Sequence, residues 1–548
     1  MFKKITILCL LAIFLITSGF GCKKPDSTVV EAAKPITLVY WRVFDGPDAF
    51  DEIIANYKLQ HPFINIEYRK LRYEEYEKEL LNALAEDRGP DIFSIHNTWI
   101  KKYKTKIEPM PETTTMAYPV VTGTVKKETI MQMRTNRSLS LREIKDNFVD
   151  VVAKDVILDN KVYGLPLSVD TLAMFYNKDL LNNAGISEVP RYWNREFLNA
   201  VKKLTKQDPK RGLIQSGVAM GGSNNIERYS DILMLLMMQN GATIINDSNQ
   251  VVFNSIPEFA RETGYNPGLE ALRFYTDFAN PGKESYTWNN ELGNSLEMFS
   301  SGNLAIMFGY SYHIPLIKAA APKLNFSVSK FPQIEGNPPT NINFANYWVE
   351  TVSKKSTHKN EAWDFIQFMT KSEQVGSYLE KTKKPTALRS LISNQRNDDE
   401  IGVFADQVLT ARSWYQGMNV VAAENAIKEM NKIALLLSNN GVKVHKFYDM
   451  ETNWGEITKT AKNCNILIYS GHGGNKGING GAGGLCLKDY IIPTDSIIRS
   501  LHLRKNSMIM YLLLHYEAGH WDFVKGNVEP NEAEKETVVR ELREETGI

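Results

Sequence analysis

Three glutamates near the end of the printed sequence have the spacing of a divalent-cation site. Glu541, Glu544 and Glu545 stand at positions i, i+3 and i+4, so on a helix their carboxylates share one face. Carboxylates grouped in this way can hold Mg²⁺ against a pyrophosphate. The alternative for the same spacing is a solvated helix whose glutamates pair with arginines. These residues therefore predict either a metal-dependent hydrolase or a charged surface helix.

The sequence around these glutamates resembles the Nudix hydrolases, especially those that cleave diadenosine tetraphosphate. Gly526, Glu532 and the run RELREETGI at residues 540–548 fit the Nudix box. The resemblance implies an enzyme that uses Mg²⁺ to hydrolyse nucleoside polyphosphates, with the three glutamates as its metal-binding and catalytic residues. The match covers residues 511–548, and a piece of that size is too short to bury an adequate core by itself. We therefore expect a truncated Nudix segment without activity.

A second candidate catalytic residue is His472. An apolar run at residues 465–469 ends in Ser-Gly-His-Gly-Gly, which resembles the histidine turn of caspase-like and gingipain-like cysteine peptidases. The resemblance implies a cysteine after the next core strand, which the histidine would assist. The next apolar run, 507–510, leads into Tyr511 without a cysteine. We expect residues 432–510 to be a caspase-like α/β fragment, and a glycine-flanked turn without catalysis is the favoured alternative for His472.

The beginning of the chain predicts export. Two lysines precede an apolar run at residues 5–17, and this run is shorter than the ~20 residues that cross a bilayer. Residues 1–21 are therefore predicted to be a signal peptide. Cys22 follows directly and resembles the lipidated cysteine of a bacterial lipoprotein box. The resemblance implies a lipid anchor on the extracytoplasmic side of the cell membrane with residues 22–35 as a linker, and the alternative is an ordinary cleaved signal.

Composition and charge restrict the function of the remaining chain. With 548 residues, 43% hydrophobic and 23% charged, the sequence predicts a globular protein of two or more domains. A net charge of +1 gives no broad field that would attract nucleic acid, so we expect no nucleic-acid partner. The four cysteines lack the spacing of a metal site.

Strands and helices alternate from residue 36 onwards. Residues 36–41, 64–68 and 91–95 have the composition of short strands, and residues 50–60 and 73–86 place apolar side chains at helical spacing. This alternation predicts an α/β fold with a parallel sheet covered by helices. Ligands of such folds bind beyond the carboxyl ends of the strands.

The same region resembles the extracellular solute-binding proteins of sugar-type ABC importers. Phrases such as ALAEDRGPDIFSIHNTW, VYGLPLSVDTLAMFYNKDLLNNAGI and SLEMFSSGNLAIMFGYSYHI follow one another in the family's order. The resemblance implies a two-lobed, periplasmic-binding-protein-like α/β fold with a hinge over residues 36–431, followed by an incomplete α/β tail. It also implies a sugar or related polar solute in the cleft, an ABC transporter permease as partner and no cofactor.

Aromatic and polar residues just beyond the predicted strand ends are the candidates for the solute site. An aromatic ring can cover the apolar face of a sugar, and Asp, Asn or Arg can bind its hydroxyls. The candidate ligand-binding residues are Trp41, Asp45, His96, Asn97, Trp99, Asp170, Tyr176, Tyr310, Tyr312, Trp348 and Trp414.

Each candidate has a structural alternative. Aromatic residues in such folds often belong to the core of a lobe, and the aspartates and the asparagine among the candidates could instead cap helices. Trp193 and Trp363 lie on helical patterns and are predicted to be core, as is the Met-rich run at residues 233–238. The sequence therefore favours a binding protein over an enzyme, with Trp348 as the sharpest single prediction of a ligand contact.

Overall fold

The computed structural model describes residues 33–439 apart from 124–126, 247, 249, 337–340 and 416, and beyond residue 439 it describes five short strands. The described chain divides into two compact units. The first comprises the residues up to Thr171 together with Ala345–Met418, and the second comprises Leu172–Phe344 and the chain from Asn419 onwards. The chain therefore passes between the units three times, and the prediction of two lobes is confirmed.

The first unit begins with alternating strands and helices. Its strands in this stretch are β1 (Ile36–Val43), β2 (Ile64–Leu71), β3 (Ile92–His96), β4 (Ile107–Glu108), β5 (Thr113–Thr122), β6 (Glu128–Arg137), β7 (Ile157–Leu158), β8 (Lys161–Val162) and β9 (Asp170–Thr171). Its helices are α1 (Asp51–Gln60), α2 (Tyr73–Ala85), α3 (Ile100–Tyr103), α4 (Leu141–Asn147) and α5 (Asp150–Val156), with 3₁₀ turns at Pro47–Ala49 and Asn97–Trp99. The elements predicted over residues 36–96 are confirmed, and their ends differ from the prediction by at most three residues.

The second unit is also mixed. Its strands are β10 (Ala173–Asn177), β11 (Lys206–Asp208), β12 (Gly212–Val218), β13 (Leu304–Gly309) and β14 (Phe326–Ser329). Its helices up to the return crossing are α6 (Lys178–Asn183), α7 (Arg195–Leu204), α8 (Tyr229–Gln239), α9 (Pro267–Asp277), α10 (Ser295–Ser300) and α11 (His313–Ala320), with a 3₁₀ turn at Glu258–Ala260.

From residue 343 onwards the chain adds elements to the first unit, then one helix to the second unit, and then the strands of the tail. The strand β15 (Asn343–Asn346) spans the boundary at which the chain returns to the first unit. The first unit then gains β16 (Trp348–Ser353), α12 (Lys359–Met369), α13 (Ser372–Thr382), α14 (Arg389–Gln395), α15 (Gly402–Gln407), a 3₁₀ turn at Val408–Thr410 and β17 (Ala411–Arg412). The second unit gains α16 (Val420–Asn439). The tail strands are β18 (Ile468–Ser470), β19 (Gly484–Leu487), β20 (Tyr490–Pro493), β21 (Tyr511–His515) and β22 (Trp521–Phe523).

The sheet of the first unit has the strand order β2-β1-β3-β16-β4. β1 runs parallel to β2 and β3, as predicted, whereas β16 runs antiparallel to β3 and β4. The reversal arises because β16 begins beside the end of β3, with Trp348 opposite His96. One edge of the sheet therefore carries the last residues of β1 and β3 together with the first residue of β16.

Helices bury the inner face of this sheet. α12 packs against β16 and α1, and its Trp363 and Phe365 are fully buried. The ring of Tyr40 in β1 lies edge-on to Phe50 at 5.5 Å and to Phe365 at 6.3 Å. The prediction that Trp363 is a core residue is therefore confirmed.

The sheet of the second unit has the order β11-β12-β13-β10-β14, and α8 lies in its core. All the residues of the Met-rich run in α8 are buried, as expected for a helix that is apolar on every side, so that prediction is confirmed. Trp193 packs edge-on to Phe197 at 4.7 Å and to Phe331 at 5.4 Å, and its indole N–H donates to Gln239, in line with the predicted core role.

The helix α16 belongs to the second unit. It packs against α8 and α9, and the buried side chain of Asn431 donates from Nδ2 to the carbonyl oxygen of Gly221 at 3.2 Å. The domain boundary predicted between residues 431 and 432 thus lies inside one continuous helix. In the tail, β21 pairs with β18 in parallel and with β22 in antiparallel fashion, and β19 pairs with β20.

Candidate functional site

Aromatic side chains meet at the edge of the first unit where β1 and β3 end and β16 begins. Phe44 follows β1 directly, Tyr73 opens α2, and Trp348 opens β16. The rings of Phe44 and Tyr73 stack with centroids 5.5 Å apart and an interplanar angle of 23°. Trp348 lies edge-on to both, at 5.8 Å from Phe44 and 6.2 Å from Tyr73. We call these three residues the aromatic platform.

The platform combines exposed rings with buried support. Phe44 and Tyr73 are each 51% exposed, so part of each side chain is open to solvent. Trp348 is half-buried and contacts further rings beneath it, Tyr76 at 5.9 Å and Trp99 at 5.5 Å. Because Tyr76 and Trp99 are buried, they fix the orientation of the Trp348 indole.

Phe44 lies in a strained turn. Its φ is +67°, and the N–H of Asp45 donates to the carbonyl oxygen of Val43 at 2.8 Å. A hydrogen bond from residue i+2 to residue i around a positive φ forms the rare, strained type of γ-turn. A bulky residue in this region is an outlier that persists only when its surroundings hold it, and such outliers cluster at functional sites.

Hydrogen-bonding side chains lie beside the platform. The ring of His96 is 5.6 Å from that of Trp348, and its Nε2 lies 3.2 Å from Oδ1 of Asn346. Because that oxygen can only accept, Nε2 carries the proton, and Nδ1 accepts from the hydroxyl of Thr98 at 2.7 Å. These amide, imidazole and hydroxyl groups are of the kind that bind the hydroxyls of a polar solute.

A buried ionic cluster lies behind Phe44. Arg42 bonds to Asp45 at 3.1 Å and to Glu350 at 2.5 Å, and Lys384 donates to Asp45 at 2.5 Å. The hydroxyl of Tyr378 accepts from Arg42 and donates to Asp45, both at 2.9 Å. Burial alone would raise the pKa of the Asp45 carboxyl, but Arg42 and Lys384 outweigh it, and the pKa is lowered.

A second buried carboxyl joins elements near the same edge. Asp155 in α5 accepts hydrogen bonds from Asn97 at 3.0 Å, from the hydroxyl of Tyr347 at 2.7 Å and from Ser413 at 2.5 Å. Burial raises the pKa of Asp155, although these three bonds oppose the shift. Asn97, a candidate ligand residue, is itself buried and ties the end of β3 to α5.

The structure brings some of the predicted site residues together and separates others. His96, Trp99 and Trp348 meet at the platform, and Asp45 lies in the ionic cluster behind it. Trp41 is buried, with the guanidinium of Arg69 4.9 Å from its ring.

The remaining candidates of the first unit take part in other local contacts. Asp170 pairs with Asn346 between β9 and β15, and its Oδ1 accepts from the N–H of Thr171 at 2.8 Å. Trp414 is buried and lies 5.1 Å from Tyr415. Ligand binding by these residues stays a prediction.

Three candidates lie in the second unit. Tyr310 is fully buried, and its hydroxyl donates to Asp231 at 2.6 Å. Tyr312 is 43% exposed and stacks on Tyr310 at 5.9 Å and on His313 at 4.2 Å. Tyr176 is half-buried in β10. In this unit Tyr312 is therefore the candidate with the most accessible ring.

The sequence analysis missed two members of the platform. Phe44 stands three residues after the predicted strand 36–41, and Tyr73 begins the predicted helix 73–86, so both positions had a signal, namely an aromatic residue near the end of an element. The exposure and stacking of Phe44 and Tyr73 depend on the turn at Phe44, and no sequence pattern predicts that turn.

The other chemical predictions fall outside the described residues. These are the lipidation at Cys22, the histidine turn at His472 and the metal-binding glutamates at 541, 544 and 545. Within the described part of the chain, no group of His, Cys, Asp or Glu has the arrangement of a metal site. Of the helices described, none combines the length and apolar character needed to cross a membrane.

The chain is similar to known binding proteins. The sequence model for bacterial extracellular solute-binding proteins matches residues 45–376. The galactooligosaccharide-binding protein of Bacillus subtilis is 19% identical over 402 residues, which are 72% of this chain and 83% of that protein. A Brucella abortus protein named only as a binding protein is 26% identical over 234 residues, 41% of this chain, and the chain spans about half (51%) of that relative.

A solved structure supports the same fold. A cyclo/maltodextrin-binding protein complexed with maltotetraose superposes with a TM-score of 0.55 at 17% identity, covering 76% of this chain and 99% of that one. At the other end of the sequence, the NUDIX domain model matches residues 504–548. There, the asymmetrical bis(5'-nucleosyl)-tetraphosphatase of mouse is 53% identical over 45 residues, 8% of this chain and 31% of the enzyme.

Proposed function

The chain belongs to the bacterial extracellular solute-binding proteins, and on that basis we propose that it captures a carbohydrate or related polyol for an ABC transporter. The single observation that carries the proposal is the aromatic platform. Its stacked, half-exposed rings, Phe44 and Tyr73, offer flat apolar faces, and a sugar ring presents a matching face of C–H groups. No covalent chemistry is needed for this function.

The polar side chains beside the platform support a sugar over a purely apolar ligand. His96 and Asn346 are half-buried next to Trp348, where they can exchange hydrogen bonds with solute hydroxyls. The charged groups behind Phe44 are paired with one another, so the platform itself offers stacking and neutral hydrogen bonding. This combination suits an uncharged, hydroxyl-rich ligand.

The names of similar proteins support the same class of ligand. The Bacillus subtilis relative is named for galactooligosaccharides, and the superposed structure holds maltotetraose. The proposal also includes an extracytoplasmic location with a lipid on Cys22, and a transporter permease that receives the loaded protein. A ligand that stabilises one conformation of a two-lobed protein gives a permease a signal to recognise.

Calorimetry of the full chain tests the proposed function. A panel of maltooligosaccharides, galactooligosaccharides, mannobiose and polyols is titrated into wild type, Tyr73→Ala and the control Phe259→Ala. Phe259 is a 72% exposed aromatic residue of the second unit and no part of the platform. We expect at least one sugar to bind. Tyr73→Ala should weaken the binding free energy of that sugar by about 1–2 kcal/mol, or its affinity by roughly 5- to 30-fold.

Two results would contradict the proposal. One is a folded wild-type protein that binds no member of the panel. The other is a sugar that binds equally well to wild type and Tyr73→Ala, because the ligand would then occupy a site without the platform. Phe259→Ala should bind like the wild type, since its ring lies elsewhere.

A second candidate function is hydrolysis of nucleoside polyphosphates by the Nudix segment. It is favoured by the NUDIX match over residues 504–548 and by the spacing of Glu541, Glu544 and Glu545, which suits Mg²⁺. The full chain with Mg²⁺ and diadenosine tetraphosphate should release no product above background if the solute-binding proposal describes the whole protein. Turnover that disappears in Glu544→Gln would instead establish the enzyme.

A further inference from the structure

The turn at Phe44 needs an explanation for its persistence. A phenylalanine at φ +67° is strained, and it relaxes unless neighbouring contacts over-determine the backbone. With its ring half exposed, burial of the side chain does not hold it there. The ring contacts Tyr73 and Trp348, and residues on either side of Phe44 add further contacts that hold the backbone of the turn.

Asp45, the last residue of the turn, and Arg42, the residue just before it, are both bonded within the buried cluster. Arg42 and Asp45 bond to each other across the turn at 3.1 Å, and Tyr378 bridges them through its hydroxyl. The backbone carbonyl of Asp45 also accepts from the hydroxyl of Tyr68 at 2.7 Å. The residue before the turn and the last residue of the turn are thus held by hydrogen bonds and an ion pair, whereas the Phe44 ring is half exposed.

The same cluster reaches the other side of the platform. Arg42 donates to Oε1 of Glu350 at 2.5 Å, and Tyr40 donates to Oε2 at 2.7 Å. Glu350 stands two residues after Trp348 in β16, and side chains two residues apart in a strand leave the same face. One buried network is therefore linked to Phe44 through β1 and to Trp348 through β16.

Stability alone does not account for such a network. The formal charges of Arg42, Lys384, Asp45 and Glu350 sum to zero, and burying paired charges costs desolvation that offsets most of their attraction. Buried polar networks whose members are all hydrogen-bonded do, however, fix one geometry. The geometry fixed here is that of the strained turn and the first residues of β16.

We propose that Arg42, Asp45, Glu350, Tyr378 and Lys384 form a positioning clamp that holds Phe44 in its strained turn and sets the aromatic platform before the sugar arrives. This inference rests on the proposed function in taking the platform as the sugar site. Glu350 is fully buried, so it acts as a positioning residue through Arg42 and the turn.

Hydrogen exchange of the ligand-free full chain tests the clamp without any sugar. Glu350→Gln and Tyr378→Phe keep the shape of each side chain, remove one charge or one hydroxyl, and leave the sequence of residues 41–47 unchanged. We expect amides in that segment, including that of Asp45, to exchange roughly 10-fold faster in both variants. The control is Asp364→Asn, a carboxylate of the same unit that is 16% exposed and whose partners Tyr57 and Tyr118 lie outside the clamp.

Affinity measurements then separate positioning from general stability. With Phe44 present, Glu350→Gln should raise the Kd for the sugar by roughly 5- to 10-fold. In a Phe44→Gly background the same substitution should change the Kd by less than about 2-fold. Asp364→Asn should lower the Tm and leave the Kd unchanged. Tyr378→Phe is the milder variant on which the cycle is repeated if Glu350→Gln does not fold.

The outcomes are distinguishable. Unchanged exchange over residues 41–47 in both variants overturns the clamp, as does a Glu350→Gln effect on the Kd that persists in full without Phe44. If exchange rises as expected but the wild type binds no sugar, the clamp is supported and the proposed ligand is contradicted. If sugar binds, Tyr73→Ala weakens its affinity and exchange over residues 41–47 is unchanged, the proposed function is supported and the clamp is contradicted.

Discussion

Glycine at position 44 should give a more stable protein than alanine at the same position, because Phe44 occupies a backbone region that only glycine adopts without strain. Both substitutions remove the ring, which stacks on Tyr73 and meets the edge of Trp348. The loss of these two contacts costs about 0.5–1.5 kcal/mol each, equally in both variants. The difference between the variants therefore reports the backbone alone.

The magnitude follows from the turn at φ +67°. A non-glycine residue in the left-handed region costs about 1–2 kcal/mol, and glycine removes that cost. Glycine also gains more conformational freedom than alanine in the unfolded chain, which costs about 0.5–1 kcal/mol. Phe44→Gly should thus exceed Phe44→Ala in free energy of unfolding by roughly 0.5–1 kcal/mol.

Urea unfolding followed by tryptophan fluorescence measures this difference through the transition midpoint at constant slope. Phe259 provides the matched pair, because it is an exposed phenylalanine inside the 3₁₀ turn Glu258–Ala260, where φ is ordinary. There the order should reverse, with glycine less stable than alanine by about 0.5–1 kcal/mol. The same order at both positions would refute the claim that Phe44 is strained.

Three further predictions concern acid stability, the chain boundary and the anchor. Burial lowers the pKa of His313 from 6.5 to about 4, so the unfolded chain binds a proton that the folded chain does not. The free energy of unfolding, intact above pH 6.5, should fall by roughly 2–3 kcal/mol by pH 4.5, and His313→Asn should remove that part of the loss in urea unfolding. Limited proteolysis should leave residues 420–439 intact, because Asn431 is buried within the second unit; cleavage at residue 431 would contradict this. Metabolic labelling with a fatty-acid analogue should mark the wild type but not Cys22→Ser, and equal labelling would exclude the anchor.

Local sequence patterns were sufficient to predict the elements that begin the first unit. The short apolar strands β1 to β3 and the helices α1 and α2 carry their own periodicity, and their bounds agree closely with the prediction. The antiparallel β16 could not be predicted in the same way. Its partner β3 lies more than 250 residues earlier in the chain, and the direction of a strand within a sheet depends on where the chain re-enters, not on its own composition.

The candidate site shows the same division. His96, Trp99 and Trp348 were predicted because each lies at the end of a strand or just beyond it, and the structure brings them together. The pairing of Asp45 with Arg42 and Lys384 could not be read from the sequence, because Lys384 is remote in the chain. An exposed aspartate that binds a sugar and a buried one that pairs with cations have the same sequence signal.

A clamp that orders the platform in advance changes how the energy of sugar binding is used. Ordering a side chain at an interface costs about 0.5–1.5 kcal/mol. If Phe44, Tyr73 and Trp348 are already ordered before the sugar arrives, binding does not include this cost for any of the three. The free energy that offsets the strain at Phe44 then comes from folding of the first unit and not from binding of the solute. Because a ligand shifts a conformational equilibrium only by its differential affinity for the two states, the energy that is spared remains available to favour the conformation that a permease recognises. On this reasoning Glu350→Gln should weaken both the affinity and the conformational response to sugar, whereas a substitution that only destabilises the unit should leave that response intact.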